Sequence, residues 1–403
     1  MAVLQRTSFG VSGIQAADRF DVSASVLSGF VVLQVAIYAA MQIPAGILLD
    51  RFGSRATLAS GALILALGQI SLALTDDLSL AIAARAVVGA GDAFTFISVL
   101  RLLPRWFSEA RVPLFSQLTS MLGQAGQLLS AVPFTTVLIT SGWTSAYLSA
   151  ASLAVIGCVL TLAIVRNSPS GVDVEVTSAS FADLPRQVRA VWRTNGTRLG
   201  FLTHMGTSFP MTVFALMWGV PFLTYAEGLS QSEAGGMLTI SVVTTTAVGP
   251  VLGMLSGKYP NLRGALVIGV IASNIVVWTS ILLLPHPAPG WLLILLVAVM
   301  ALGSSTGMIG FDFARASNMR QTMGTAQGIV NAGGFSAALL VIMGMGLVLD
   351  YAGGYTLAAF RIAWLLVYGV SLPAAVGVFF LMRQVRANDR LDQSRSAEVG
   401  SIN

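Results

Sequence analysis

Residues 46–55 read GILLDRFGSR, a charged decapeptide set between two long apolar runs, 24–49 before it and 56–74 after it. A helix needs about 20 apolar residues to cross the hydrocarbon core of a bilayer. Both flanking runs are long enough, so the aspartate, the two arginines and the two glycines between them predict a turn that stands in water. Outward from this turn, nine more runs of the same kind follow, at 78–103, 113–139, 143–165, 200–223, 232–255, 264–284, 290–311, 326–349 and 357–381. Eleven full passes are therefore expected. Ahead of them stands MAVLQRTSFGVSGIQAA (1–17), apolar and helix-compatible but short. It lacks the basic leader of a signal peptide, and the expectation is a partial first pass, truncated at the N-terminus, in a twelve-helix protein.

Composition agrees with this reading. Of 403 residues 55% are hydrophobic and 10% charged, with a mean hydropathy of +0.80, whereas a soluble domain is nearer a quarter charged. The single cysteine, Cys158, excludes an internal disulfide and leaves no zinc-binding cluster. GVSG and GAGD are not phosphate loops: no strand precedes either and no Gly-Lys-Ser/Thr follows. No cofactor or metal is expected, no nucleophile stands near a base, and an enzymatic role finds no support. Twenty-one arginines against one lysine, Lys258, point to a GC-rich, bacterial genome.

The net charge of +5 reports orientation rather than a nucleic-acid partner. With the 46–55 turn placed in the cytoplasm, eighteen basic residues fall in inner connections and only Arg19 in an outer one, the asymmetry expected of a plasma-membrane protein with both termini inside. The connection 166–199 divides the chain into halves, 1–165 and 200–382, with a tail at 383–403. Leu184, Val188, Val191 and Trp192 recur within it at helical spacing, although a tethering linker is the simpler expectation.

The halves carry weak internal repeats. An offset of 207 lays Ser23 on Ser230 and Gly46 on Gly253, and one of 214 lays Gly89 on Gly303 and Arg101 on Arg315. In residues 46–55 the pattern of Gly, three residues, Asp, Arg, one residue, Gly, one residue, Arg resembles the signature between the second and third helices of the Major Facilitator Superfamily. Arg85 with Gly89 and Gly91 resembles that family's fourth-helix pattern, and Gly142-Trp143 its sixth-helix start. The resemblance implies an all-α membrane fold of two six-helix bundles, a secondary transporter working by alternating access. It also implies that the loop Gly46, Asp50, Arg51, Gly53 and Arg55 acts in gating, with Asp50 latching onto a helix of the opposite half. Two departures stand out. Gly257 replaces the aspartate in the second copy, and GQAGQLLSAVP (123–133) lacks the fifth-helix motif of drug antiporters.

Charges inside a span are costly and mark function. Arg85 and Asp92 share a face of the fourth helix, but seven residues separate them by about 10 Å. Counted from the outer surface, Arg85 lies about 10 Å deep, Arg6 about 16 Å and Asp92 about 21 Å. The resemblance places the first and fourth helices on a common cavity, so Arg6 is expected to meet Asp92. Asp92, with Arg85, is assigned to proton coupling. Arg6, Gln34, Gln127 and Asn331 are assigned to a small solute, and the lone midplane arginine leans towards an organic or inorganic anion. His204 is expected at the membrane interface, Arg361 snorkelling near the outer surface, and Asp312 with Arg315 as an i,i+3 surface pair. The remaining partners are the lipid bilayer and protons, with the protein a monomer. The alternatives are an exporter of amphipathic compounds and a transporter-like sensor without flux.

Overall fold

The computed structural model of the chain describes residues 1–22, 24–169 and 183–401. Ser23 of the repeat, part of the central connection and the last two residues lie outside the described residues. All regular structure among those described is helical.

The first half comprises α1 (Ala2–Val11), α2 (Gly13–Phe20), α3 (Ala24–Leu74), α4 (Leu78–Trp106), α5 (Val112–Leu129) and α6 (Thr135–Ile164). The helix α3 is two passes, because Gly53 (φ 76°, ψ 168°) turns the chain inside GILLDRFGSR. A residue with a Cβ would be strained there. Gly142 (φ 81°, ψ 177°) divides α6 in the same way. Nine helical stretches among the described residues are long and apolar enough to cross a membrane, and opening two of them at these glycines gives the eleven passes expected. The helices α1 and α2, broken at Ser12, occupy the place of the partial first pass.

The second half follows a short helix, α7 (Leu184–Arg193), and runs from α8 (Asn195–Val213) through the short α9 (Gly219–Pro221), α10 (Gln231–Lys258), α11 (Arg263–Leu282), α12 (Gly290–Thr306), α13 (Met308–Ser317), α14 (Met323–Tyr351) and α15 (Leu357–Trp364) to α16 (Leu366–Ser401). Several starts are capped by side chains. Asp77 accepts the Leu80 N–H at 2.8 Å, and Ser230 and Glu233 form a reciprocal capping box on α10, each worth about 1 kcal/mol.

Each half has its own aromatic core. Phe9, Phe20, Phe30, Trp143 and Tyr147 pack in the first, while Trp278 and Trp364 stack with centroids 4.2 Å apart in the second. A third apolar cluster joins the halves: Leu100, Leu103 and Val112 meet Met308, Phe311, Ile329 and Val330. In this cluster the linker expectation is corrected. Residues Leu184–Arg193 form the helix α7, whose Val191 is buried among these residues. The helix is therefore packed beneath the seam between the halves, because its apolar stripe finds a protein surface to cover.

Candidate functional site

Arg6 and Asp92 meet as the depth argument expected. The Arg6 Nε donates to Asp92 Oδ2 at 2.6 Å, with Arg6 22% exposed and Asp92 2%. The short α1 is held on three sides. Gln5 Nε2 donates to the Ala150 carbonyl of α6 at 2.7 Å, Thr7 and Ser130 share a hydroxyl bond of 2.7 Å, and Gln69 Nε2 donates to the Gln5 carbonyl at 3.2 Å. This fixes which face of α1 turns inward. The Arg6 guanidinium then lies 4.5 Å from the Tyr38 ring and 5.6 Å from that of Phe335. Neither aromatic stands out in the sequence. Gln34, Tyr38 and Gln42 recur four apart on α3, and that spacing is the one signal the chain offers for Tyr38.

Arg85 is fully buried and does not pair with Asp92. It donates to the carbonyl of Arg6 at 3.1 Å and to Gln34 Oε1, and its Cζ sits 5.0 Å from the Phe9 ring. Its charge is spread over dipoles rather than met by an acid. The mid-depth cluster formed by Arg6, Arg85 and Asp92 therefore carries two formal positive charges and one negative.

Below this cluster the halves close on each other. Asn331 of α14 donates to Gln42 Oε1 at 2.7 Å and to the Tyr38 hydroxyl at 3.1 Å. About 18 Å beyond Tyr38 along α3, at 1.5 Å per residue, Asp50 meets the N-terminus of α14. Its Oδ1 accepts the Gly324 N–H at 2.6 Å, and its Oδ2 accepts both the N–H and the hydroxyl of Thr325 at 2.7 Å. A carboxylate on the free N–H groups of a helix start is favoured by both hydrogen bonding and the helix dipole. Arg101 of α4 backs it, with Nε 3.6 Å from Oδ1 and Nη1 donating to the Leu49 carbonyl at 2.8 Å. The approach needs glycine on both sides: a Cβ on Gly46 would strike the Gly324 carbonyl, and one on Gly324 would strike that of Gly46. On the opposite flank Gln117 Nε2 donates to the Ser305 carbonyl at 2.7 Å.

The rest of the decapeptide serves the first half. Arg55 donates through its backbone N–H to Asn167 Oδ1 at 2.9 Å and through its side chain to the Leu162 carbonyl, while Arg51 lies 5.8 Å from the Phe52 ring. Of the residues assigned to solute, Arg6 is the partly exposed cation, Gln34 and Asn331 are engaged by protein partners, and Gln127 is exposed on α5. Among the described residues no hydrogen bond joins the Gln127 side chain to the Arg6 pair.

Two expectations are corrected. His204 is buried rather than interfacial: its Nδ1 accepts the Gly334 N–H at 3.2 Å and its ring stands edge-on to Phe311 at 5.3 Å. Its closeness in sequence to Arg198 is no guide, because α8 tucks this face against α13 and α14. Asp312 and Arg315 do pair, but Asp312 is 3% exposed and also accepts the Ser256 hydroxyl. The second half thus has an acid and an arginine paired on α13, where the first half has its acid at the turn and its arginine on α4. At the turn itself, a Cβ on Gly257 would strike the Ala110 carbonyl across the seam, which leaves no room for an aspartate. Arg361 is part-exposed at the end of the bundle away from Asp50 and donates to the His286 carbonyl at 2.9 Å.

A bundle of apolar helices in two halves, joined at one end and carrying a half-buried ion pair midway along α4, has the architecture of a solute transporter. The family model of the Major Facilitator Superfamily matches residues 1–223, and the chain belongs to that family. It is similar to the probable galactarate/D-glucarate transporter GudP of Bacillus subtilis (strain 168), with 22% identity over 356 residues, covering 79% of this chain and 76% of the relative. In fold it is similar to the Escherichia coli fucose:proton symporter FucP, with a TM-score of 0.63 at 18% identity, covering 94% of this chain and 96% of that one.

Proposed function

We propose that the protein is a secondary active transporter of the plasma membrane that moves a small hydroxylated carboxylate together with a proton by alternating access. The observation that carries this reading is the charge of the mid-depth cluster. Two arginines face one aspartate, and the arginine that pairs with it is the more exposed partner. An anion reaching Arg6 from the open side competes with Asp92 for the same guanidinium. Once displaced, Asp92 is a buried carboxylate without its cation, which is expensive to keep charged. Taking up a proton with the anion offsets one of the negative charges brought to the cluster, and this is the coupling. The relative whose name refers to sugar diacids points to the same class of solute.

In this reading the Asp50 end faces the cytoplasm, as the arginine bias predicts. The closed seam from Tyr38 to Asp50 is then the inner gate, closed as an outward-facing state requires. Conversion to the inward-facing state must break the Asp50 bonds to α14 and the Asn331 bonds to α3. Solute at Arg6 acts on this seam through Tyr38, which touches both Arg6 and Asn331.

The test is accumulation of galactarate or glucarate by proteoliposomes under an imposed pH gradient. Accumulation that collapses with the gradient is expected. Binding without flux would favour a sensor, and flux of amphipathic compounds but not of carboxylates would favour an exporter; either result overturns the proposal.

A further inference from the structure

At the Asp50 end, α7 and the first pass of α3 flank a shallow cleft of about 530 Å³, open to the outside and lined by Ile47, Leu184, Pro185, Val188, Arg189 and Trp192. Five of these six are apolar or aromatic, and the sixth is a cation. The exposed side of α7 adds Arg186 and Arg193 beside Arg189. Among the described residues, the ion pair made by these three arginines is the exposed one between Arg186 and Asp183, at 3.5 Å. An apolar slot rimmed by cations, at the level where an inner leaflet presents its headgroups, matches one kind of molecule: a hydrocarbon chain ending in a phosphate.

The cleft is also wired to the gate. Val191, one turn on from the cleft-lining Val188, is buried in the cluster that joins the halves, and Val188 packs against the same cluster. Gln187 Nε2 donates at 3.2 Å to the Thr325 hydroxyl, which in turn donates to Asp50 Oδ2. Whatever holds α7 in place therefore holds the Thr325 side of the latch.

We propose that the cleft binds an anionic phospholipid, with an acyl chain along Ile47, Val188 and Trp192 and the phosphate at Arg189, and that its occupancy stabilises the closed inner gate. Burial of the chain and neutralisation of α7 both favour the helix where it lies. When the gate opens, α14 moves away from Asp50, the seam beneath α7 separates and the slot loses a wall. The lipid thus binds the closed state better, and a ligand shifts an equilibrium only by such a difference. The proposal rests on the membrane orientation given above.

The test uses the full chain in detergent, with phosphatidylglycerol and phosphatidylcholine offered in equal amounts and retained lipid counted by native mass spectrometry. One phosphatidylglycerol retained with about tenfold preference is expected, falling to no preference in Arg189→Glu and recovering in Arg189→Lys. Equal retention of the two lipids, or a preference unchanged by Arg189→Glu, overturns the site. Amide exchange at 323–326 reads the gate: phosphatidylglycerol should slow it about fivefold in the wild type and not in Arg189→Glu, and no slowing overturns the coupling. Lipid binding without pH-driven flux would leave this inference standing and overturn the transport reading. Flux with no lipid preference does the reverse.

Discussion

Asp50 and Thr325 are 275 positions apart, and Thr325 gives Asp50 both its backbone N–H and its hydroxyl. Hydrogen bonds to a charged group are worth about 1.5–3 kcal/mol each, so Asp50→Asn should shift the gate towards its open state by about tenfold or more. A cysteine introduced as Ile43→Cys, in a Cys158→Ser background, would report this as faster labelling by a membrane-impermeant thiol reagent from the Asp50 side. An unchanged labelling rate would remove the latch from the mechanism. Thr325→Val should give a smaller shift in the same direction, because it keeps the backbone bond.

The Arg6–Asp92 pair predicts a non-additive pattern. Breaking a buried pair by removing one partner costs about 3–5 kcal/mol because the other charge is stranded. Arg6→Ala should therefore lower the melting temperature more than Arg6→Ala combined with Asp92→Asn, the double variant recovering most of the loss. Additive losses in a thermal melt would mean that the two charges do not depend on each other.

Coupling is tested at Asp92 alone. Asp92→Asn should reduce pH-driven accumulation by at least about tenfold while exchange of internal for external solute, which moves no net proton, persists. Accumulation with the wild-type pH dependence would rule out Asp92 as the proton carrier.

Arg6→Lys separates charge from shape. A lysine keeps the positive charge but not the planar guanidinium that lies over Tyr38 and Phe335 and can hold a carboxylate by two parallel bonds. An apparent KM about tenfold higher, with pH dependence retained, is expected in uptake assays. A KM within about twofold of wild type would show that only the charge matters.

Glu227, in the loop between α9 and α10, offers a stability test outside the spans. Burial raises its carboxyl above the usual range, against the opposing pull of the Ala288 N–H and then Arg361. An acid whose folded value is raised stabilises the fold at low pH, and that contribution is lost as pH rises through the folded value. Glu227→Gln should therefore melt progressively higher than wild type as the buffer goes from acid to neutral, the two converging at low pH. A difference independent of pH would show that burial does not raise this carboxyl.

How much of this is legible in the chain differs from residue to residue. The passes are, because a run of apolar residues is a property of the chain read in one dimension, and Gly53 and Gly142 merely divide it where charge or small residues mark a turn. Arg6 and Asp92 are matched by depth, since a helix converts residue number into ångströms. His204, Asp312 and α7 depart from expectation for a common reason: each is covered by an element distant in sequence, His204 by α13 and α14, Asp312 by Ser256 of α10, and α7 by the cluster that joins the halves. Tyr38 and Phe335 have only weak signals, because aromatics are ordinary in membrane helices.

By itself the sequence determined that this is a helical membrane protein, where its helices run and which few charges lie inside them, because hydrocarbon imposes its requirement on every segment separately. Only the tertiary structure decided what those charges and amides do. Asp50 finds Gly324 and Thr325, and Asn331 finds Gln42 and Tyr38, because α3 and α14 approach to backbone contact at Gly46 and Gly324. Arg85 reaches Gln34 because α3 and α4 pack as closely at Gly89. A hydrogen bond is made or lost within about an ångström, and no spacing along one chain fixes the distance between two halves to that precision.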